Sequence, residues 1–382
     1  MKVDKLYRLR NNPVKVYGFA ENGDWALLRD EKAEDAASGG KLNHFIKNYN
    51  GGVSIDKIHG CVPPLREDYY RVLRDDVGGD APKDFIQVYE YGTAKKSNPK
   101  QWEKHIAKVG HKWYPLESVS EYLLNRIGEV LGLEMAYSQL RVVHGQLRFL
   151  SRYFLKEDES LFHGAQIYSA YLVENDDRFV QEIENLNWSR ALFTFQFTNE
   201  AVKFAFPNQH SKLMNSLVRL LVFDAISGNN DRHFYNWGVI TNVKGDREPR
   251  FSPIYDSARG LFWNRSEEVI LGKFYEGKEK NIKIKQATLE KYIRSSRPKI
   301  GWDGWEGKEE INHFELIQLI NHHYPEHKKT CNELLKNVHL QSILKLLATE
   351  FKTFYSPLRY QLMSECLKQR FEHLQKLCNQ SL

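Results

Sequence analysis

The feature that most constrains this chain is an apolar stretch at residues 211–227 (SKLMNSLVRLLVFDAIS), which ends at Gly228. Its apolar residues are spread around a helix instead of forming one stripe, as is typical of a helix buried inside a large domain. A glycine directly after the last helical residue is a frequent helix terminator. The polar segment NNDRHFYN then begins at residue 229. The sequence therefore predicts a buried helix followed by a polar turn.

Three residues at or after this turn have the chemistry that phosphoryl transfer requires. Asp231 and Asn236 lie close together in the sequence, and Asp256 follows an apolar, strand-like stretch. One carboxylate has to accept the proton of the attacking hydroxyl, and two oxygen ligands have to hold Mg²⁺ against the phosphates. Asp231 suits the base, and Asn236 and Asp256 suit the metal ligands. Asp and Asn are also common turn and capping residues, so the pattern alone leaves a purely structural turn as the alternative.

The order of predicted elements before this helix is typical of the smaller lobe of a kinase. The pair Asn22-Gly23 predicts a hairpin between strands at 13–20 and 25–30. Helical periodicity predicts a helix at 117–131, which Gly132 ends. Further strands are predicted at 84–91, 105–114, 137–143 and 147–155, and further helices at 286–294, 311–323, 329–350 and 357–378.

The composition predicts a folded protein without membrane or disulfide features. The chain is 41% hydrophobic and 13% aromatic, and its formal charge of +6 is spread along its length. Spread charge argues against a dedicated nucleic-acid binder. No apolar run reaches the roughly 18 residues of a membrane span, and the four cysteines lack metal or disulfide spacing. Without an apolar segment at the N-terminus, we expect no membrane partner and a cytoplasmic location.

The motif DRHxxNxG at residues 231–238, followed by PxYD at 253–256, resembles the catalytic and metal-binding segments of HipA-like serine/threonine kinases. The DRH order is also similar to that of phosphatidylinositol 3/4-kinases. The segments HIAKVG, ESVSEYLLNRIGEVLGLEMA, RFLSRYFL and LFHGAQIY extend the resemblance over about residues 105–265. The resemblance implies an α+β, two-lobed, protein-kinase-like (HipA- and phosphatidylinositol-kinase-like) fold.

The same resemblance implies a division of the chain into two lobes with ATP between them. A β-rich N-terminal lobe is expected at residues 1–155, with an unassigned extension at 1–80 and the ATP-binding core at 84–155. A mainly helical C-terminal catalytic lobe is expected at residues 156–382.

Carried over residue by residue, the resemblance assigns Asp231 as the catalytic base and Asn236 and Asp256 as Mg²⁺ ligands. Lys108 of HIAKVG matches the strand lysine that contacts the ATP phosphates. Lys112 lies four residues further along the same strand face and remains a competitor.

Other residues are expected to complete the nucleotide site. Glu121, or Glu117 one helical turn earlier, is expected to pair with the strand lysine. His233 belongs to the motif and is placed in the cofactor site with it. The strand RFLSRYFL is expected to be the hinge that contacts adenine, through the backbone of Ser151, Arg152 and Tyr153.

The loop at residues 92–101 (GTAKKSNPKQ) departs from the family pattern. It falls where the phosphate-covering loop is expected, yet it has one glycine and no GxGxxG or Walker spacing. Its amides with Lys95 or Lys96 are one candidate for phosphate contacts, and a plain polar hairpin loop is the alternative. HipA-like kinases autophosphorylate a serine in this loop, which makes Ser97 the regulatory candidate.

The resemblance implies transfer of the γ-phosphate of Mg·ATP to a serine or threonine hydroxyl of a protein. It also implies a bacterial toxin or effector that autophosphorylates and is restrained by an antitoxin or another regulatory partner. One alternative keeps the enzyme class and replaces the acceptor with a lipid or small molecule. The other is an ATP-binding interaction module of the same fold that lacks catalysis.

Overall fold

A sheet-based lobe and a larger helical lobe enclose a cavity in this computed structural model. The structure describes residues 61–74, 83–110, 116–143, 146–173, 178–277 and 281–379, and the backbone of three strands between residues 3 and 28. The strands are β1 (Val3–Arg8), β2 (Val16–Ala20), β3 (Trp25–Leu28), β4 (Tyr70–Arg74), β5 (Lys83–Val88), β6 (Glu103–Val109), β7 (Ser138–Val143), β8 (Gln146–Arg152), β9 (Glu159–His163), β10 (Gly238–Asn242), β11 (Arg250–Phe251), β12 (Tyr275–Glu276) and β13 (Lys283–Ile284).

The helices lie mainly in the second half of the chain. They are α1 (Glu117–Val130), α2 (Gly164–Tyr171), α3 (Arg178–Asn185), α4 (Ser189–Leu192), α5 (Phe195–Ala205), α6 (His210–Ser227), α7 (Glu267–Phe274), α8 (Gln286–Arg294), α9 (His313–His323), α10 (Lys328–Leu334), α11 (Asn337–Leu346) and α12 (Pro357–Asn379). Among the described residues, no helix combines the length and apolar character needed to cross a bilayer.

The sheet-based lobe is built on an antiparallel sheet with the strand order β4-β5-β6-β8-β7. Helix α1 packs against β7 and β8. Its residues Val119, Leu123 and Ile127 recur every four positions and are fully buried, which explains why this segment is helical and which face it buries. Gly132 follows the helix with φ +67° and ends it as predicted.

Most of the predicted elements are confirmed with small changes at their ends. Strands β2 and β3 pair antiparallel on either side of the predicted hairpin turn. The predicted helix at 329–350 is wrong as one unit, because the chain turns between α10 and α11 and finishes in a π-helical turn at Leu347–Phe351. The carbonyls exposed at this break accept hydrogen bonds from the His339 ring and the Gln375 amide, so the chain turns without a glycine or proline.

Helix α6 runs through the core of the helical lobe and ends at the polar turn. Gly228 has φ +68° and donates its N–H to Asp224, as a helix-terminating glycine does. Arg370 of α12 lies against this end: its buried guanidinium donates to the carbonyls of Ala225 (2.8 Å) and Ile293 (3.0 Å). A Cβ at position 228 would lie 3.1 Å from the Arg370 guanidinium. The C-terminal helix therefore closes the end of the helix that leads into the polar turn.

We expect Arg370→Ala to lower the free energy of unfolding by about 3 kcal/mol, because it leaves two helix-end carbonyls unbonded beside a void. Denaturant unfolding of both variants measures this against Arg294→Ala as the control. Arg294 is exposed, and among the described residues it forms an ion pair with Glu290 of its own helix alone, so its loss is expected to cost about 0.5 kcal/mol or less. Equal losses in the two variants would contradict the role given to Arg370.

Candidate active site

A cavity of about 930 Å³ lies between the two lobes. Strands β5, β6 and β8 form one wall, and the polar turn after α6 and the segment around residue 256 form the opposite wall. The predicted site residues that line it are Lys108, Glu121, Ser151, Arg152, Tyr153, Asp231, His233, Asn236 and Asp256. Glu117, the alternative to Glu121, also lines it.

Lys108 bridges the two walls of the cavity. Its Nζ lies 2.7 Å from Glu121 Oε1 in its own lobe and 2.8 Å from Asp256 Oδ1 in the other lobe. Burial by itself lowers the pKa of the Lys108 ammonium, but the charges of Asp256 and Glu121 outweigh it and hold the pKa above its usual value. Lys108 is therefore a permanent cation that links a sheet strand, helix α1 and the 256 segment.

Asp256 is held in an unusual backbone conformation. Its φ of +54° lies in the left-handed region, which non-glycine residues adopt at a cost of about 1–2 kcal/mol. The preceding Ile254 bridges to Met135, with Ile254 N donating to Glu134 O at 2.7 Å and Ala136 N donating to Ile254 O at 2.9 Å. These bonds tie the segment to the chain that follows α1, so the carboxylate faces Lys108.

Arg232, the second residue of the DRH motif, connects the two segments of the opposite wall, which are the polar turn after α6 and the segment around residue 256. Its guanidinium is buried and pairs with the buried carboxylate of Asp224 in α6, at 3.0 and 3.1 Å. It also donates to the carbonyls of Asn236 (3.1 Å) and Tyr255 (2.6 Å) and to Ser257 Oγ (2.8 Å). One side chain therefore sets the distance between the turn after α6 and the residues on both sides of Asp256.

Asp231 and Asn236 are oriented by their own turn. The Asp231 N–H donates to Asn229 Oδ1 at 3.2 Å, and Asn229 in turn donates to the Asp224 carboxylate at 3.0 Å. Asn236 Nδ2 donates to the Asp231 carbonyl at 2.9 Å, and no hydrogen bond to Asn236 Oδ1 is formed by the part of the chain that the structure describes. The Asp231 carboxylate lies 3.3 Å from Arg259 Nη1.

The two aspartates of the cavity differ in their acidity. Burial raises the pKa of Asp231 above its ordinary value, and the positive charge of Arg259 offsets this only in part. Burial would also raise the pKa of Asp256, but Lys108 overcomes it by charge and hydrogen bonding and holds that pKa well below its usual range. Asp256 thus stays ionised, whereas Asp231 is the carboxylate more ready to take up a proton.

The expected hinge lies at the cavity, but its amides are already used. The Arg152 N–H donates to Tyr137 O and the Tyr153 N–H to Lys104 O, both at 2.8 Å. These two amides complete the sheet and are therefore not available to adenine. The next residues along the chain, Phe154 and Leu155, also line the cavity.

The loop at residues 92–101 does not contribute to the lining of the cavity. Lys96 instead pairs with Asp68 and lies over the Tyr69 ring, and the Lys95 carbonyl accepts a hydrogen bond from the Trp102 indole. Ser97 is exposed in this loop. The loop therefore has the contacts of a plain polar hairpin loop. Lys112, the competitor of Lys108, lies outside the described residues.

Sequence reasoning missed three contributors to the cavity. Lys83 and Arg259 both line it, and Arg232 organises it from behind through Asp224. The position of Lys83 directly opposite Lys108 in the sheet places it at the cavity. That position can be predicted only when the register of β5 and β6 is known. The DRH motif contained Arg232, but nothing in its spacing indicates which carboxylate it pairs with.

These features define a two-lobed α+β fold of the protein-kinase-like type. Residues 76–300 match the HipA-like C-terminal domain family. This match covers more than half of the 382 residues. The chain therefore belongs to the HipA-like family.

One solved structure supports this fold, and a second is a similar chain. The Helicobacter pylori proinflammatory kinase CtkA is 14% identical with a TM-score of 0.58, and the match covers 77% of this chain and 92% of that one. HipA of the Shewanella oneidensis toxin–antitoxin system, solved with HipB and operator DNA, is 12% identical with a TM-score of 0.41, covering 87% and 74%.

A curated protein also matches a short part of the chain. Acyl-lipid (8-3)-desaturase B of Dictyostelium discoideum is 27% identical over 90 residues, which is 24% of this chain and 18% of the desaturase. The chain thus spans less than a fifth of that relative.

We expect Asp224→Asn to lower the free energy of unfolding by about 3 kcal/mol, because it leaves the Arg232 charge buried without a carboxylate. The control is Asp303→Asn, at an exposed position, where a change within about 0.5 kcal/mol is expected. Denaturant unfolding of both variants is the measurement. If the two changes are equally small, the Arg232–Asp224 pair does not organise the site.

Proposed function

We propose that this protein is an ATP-dependent kinase that transfers the γ-phosphate of Mg·ATP to a serine or threonine hydroxyl of a protein. The observation that carries the proposal is the bridge of Lys108 between Glu121 and Asp256. A lysine–glutamate pair between a sheet strand and the following helix, facing a carboxylate of the other lobe, is the arrangement that kinases use for nucleotide phosphates. Membership of the HipA-like family supports the same reading.

The donor atoms around Asp256 fit a magnesium ion. Mg²⁺ is held in proteins by one or two carboxylates or amide oxygens, with phosphate oxygens and water completing the shell. Asp256 offers an ionised carboxylate and Asn236 offers the amide oxygen that its own hydrogen bond leaves free. When bound, Mg²⁺ neutralises the charge on the β- and γ-phosphates. Lys108 would then share its ammonium between Glu121 and the phosphates.

Asp231 is proposed as the group that accepts the proton of the attacking hydroxyl. Its raised pKa makes it a better proton acceptor than an ordinary exposed aspartate, and the polar turn holds it at the cavity. Arg259, which contacts the same carboxylate, is placed to steady it before the acceptor arrives. The acceptor hydroxyl would approach the Asp231 carboxylate from the cavity.

The adenine end of the nucleotide is proposed to lie against β8. Because the Arg152 and Tyr153 amides are engaged in the sheet, the backbone of Phe154 and Leu155 is the proposed partner of the base. Ile106 of β6 and Leu161 of β9 line the cavity and would supply apolar surface for the base.

Several finer assignments belong to the proposal as well. We place the lobe boundary near residue 155, with residues 1–155 forming the N-terminal lobe and 156–382 the catalytic lobe. A role as a bacterial toxin or effector, a cytoplasmic location and a restraining antitoxin-type partner are proposed on the family alone. Ser97 remains the proposed autophosphorylation site, because its exposed loop position leaves it accessible.

We expect Asp231→Asn to reduce phosphate transfer by about a hundredfold or more while Mg·ATP binding is retained, because the substitution removes the proton acceptor and its contact with Arg259 but leaves Lys108, Asn236 and Asp256 in place. Transfer of labelled γ-phosphate to mixed protein and lipid acceptors measures the activity, and calorimetry measures the binding. Label on serine or threonine of protein supports the proposal. Label on lipid alone would show that the acceptor is a lipid and not a protein. Nucleotide binding by the wild type without any transfer would show that the chain is a binding module.

The pH dependence of the reaction follows from the raised pKa of Asp231. The base works only when ionised, so activity is expected to fall as pH drops through a pKa above the ordinary aspartate value of 3.8. Arg259→Met removes the main charge that favours the ionised form, and the acid limb should move to higher pH. His233 and Lys299, which also lower this pKa, and Asp256, which raises it, remain unchanged.

The pH profile of kcat for the wild type, Arg259→Met and the exposed control Arg294→Met is the test of this assignment. The control is expected to match the wild type. An acid limb that stays in place in Arg259→Met would show that Asp231 is not the group titrating.

A further inference from the structure

Lys83 is the first residue of β5 and pairs directly with Lys108 of β6 in the antiparallel ladder. Residues directly opposite in such a ladder lie on the same face of the sheet, and both lysines line the cavity. Like charges in this position destabilise a sheet unless an anion lies between or beside them. Negatively charged groups on the cavity side are therefore needed to stabilise the Lys83–Lys108 pair.

The protein supplies such groups to only one of the two lysines. Lys108 has Glu121 and Asp256 within 2.8 Å, and Arg259 has Asp231 at 3.3 Å. Within the described ranges, Lys83 makes no ion pair; burial raises the pKa of Glu121, and the charge of Lys83 opposes that shift only in part and from a distance. Lys83 is thus a cation beside the phosphate-binding lysine whose charge is not neutralised by a contacting carboxylate of the described chain.

The loop that would be expected to supply phosphate contacts lies elsewhere. None of residues 92–101 lines the cavity, and Lys96 is held by Asp68 and the Tyr69 ring. A nucleotide triphosphate brings several negative charges, of which one Mg²⁺ neutralises only part. Lys108 is already paired with two carboxylates, so its single positive charge is not available in full to the phosphates, and a second cation is needed where they would lie.

We propose that Lys83 is a phosphate-binding residue, whose ammonium group binds the polyphosphate of the nucleotide beside Lys108 in place of contacts from the loop at 92–101. This inference rests on the proposed function, since it concerns the same cavity. A lysine suits the position because its ammonium is a compact charge on a long, flexible stem and needs no fixed approach angle. In this proposal a side chain of β5 makes the phosphate contacts that the backbone amides of a glycine-rich loop make in other kinases.

The test compares the binding of a non-hydrolysable Mg·ATP analogue with that of adenosine, by calorimetry, in the wild type and three variants. Lys83→Met is expected to weaken analogue binding by about ten- to a hundredfold, the size of a lost hydrogen bond to a charged group. Adenosine affinity should stay within about twofold, because adenosine lacks the phosphates. Lys83→Arg should restore most of the analogue affinity, and the matched loop control Lys96→Met should leave it unchanged.

The outcomes separate this inference from the proposed function. If Lys83→Met binds the analogue as the wild type does, or loses adenosine to the same extent, Lys83 does not bind phosphate. If the wild type binds neither analogue nor adenosine, the cavity is not a nucleotide site and both proposals fall. If Lys96→Met alone loses analogue affinity, the loop reaches the phosphates and Lys83 does not replace it. A thermal melt of each variant establishes that it is folded before binding is compared.

Discussion

An ion pair between Arg232 and Asp224, closed off from water at the end of α6, sets the geometry on which the rest of the cavity depends. Two buried charges are costly to remove from water, and they are tolerated here because every arm of the guanidinium has a partner. Those partners belong to α6, the polar turn and the 255–257 segment. The pair therefore acts on the site through position, because it keeps Asp231, Asn236 and Asp256 at the same wall.

Backbone strain occurs within and just after the wall segment around residue 256. Positive φ angles, which residues other than glycine rarely adopt, occur at Asp256, Leu261 and Phe262. Neighbouring groups hold them there: Phe262 stacks on Tyr292 at 4.2 Å, and Arg359 donates to the Phe262 carbonyl at 3.2 Å. Strain of this kind persists where the surroundings over-determine it, and it is often found at functional segments. Helix α12, which carries Arg359 and Arg370, thus supports the opposite wall from outside.

Local signals in the sequence were sufficient for the elements that carry the site. The period of Val119, Leu123 and Ile127 and the glycines that end α1 and α6 are short-range features, and both helices were predicted within a few residues. The convergence of Lys108 and Asp256 came from motif resemblance, since nothing in their spacing brings them together. The break between α10 and α11 was not predictable, because one of the two side chains that cap it, Gln375, comes from a distant helix.

Contacts that depend on strand register or on backbone carbonyl acceptors could not be predicted from the sequence either. The engaged amides of Arg152 and Tyr153 follow from how β8 aligns with its neighbours, and the cross-strand position of Lys83 follows from the alignment of β5 with β6. Arg370 bonds to carbonyl groups, which every residue carries, so no residue type in the sequence indicates its partners. These contacts depend on how strands and helices align in three dimensions, and the periodicity of the sequence does not contain that information.

The central claim is that Lys108, Asn236 and Asp256 hold the phosphates and metal of one nucleotide between the two lobes. A crystal structure with Mg²⁺ and a non-hydrolysable ATP analogue tests it most directly. The account predicts the triphosphate beside Lys108, the metal bound by Asn236 Oδ1 and the Asp256 carboxylate, and the terminal phosphate facing Asp231. A nucleotide bound outside this cavity, or a metal held without either residue, would contradict it.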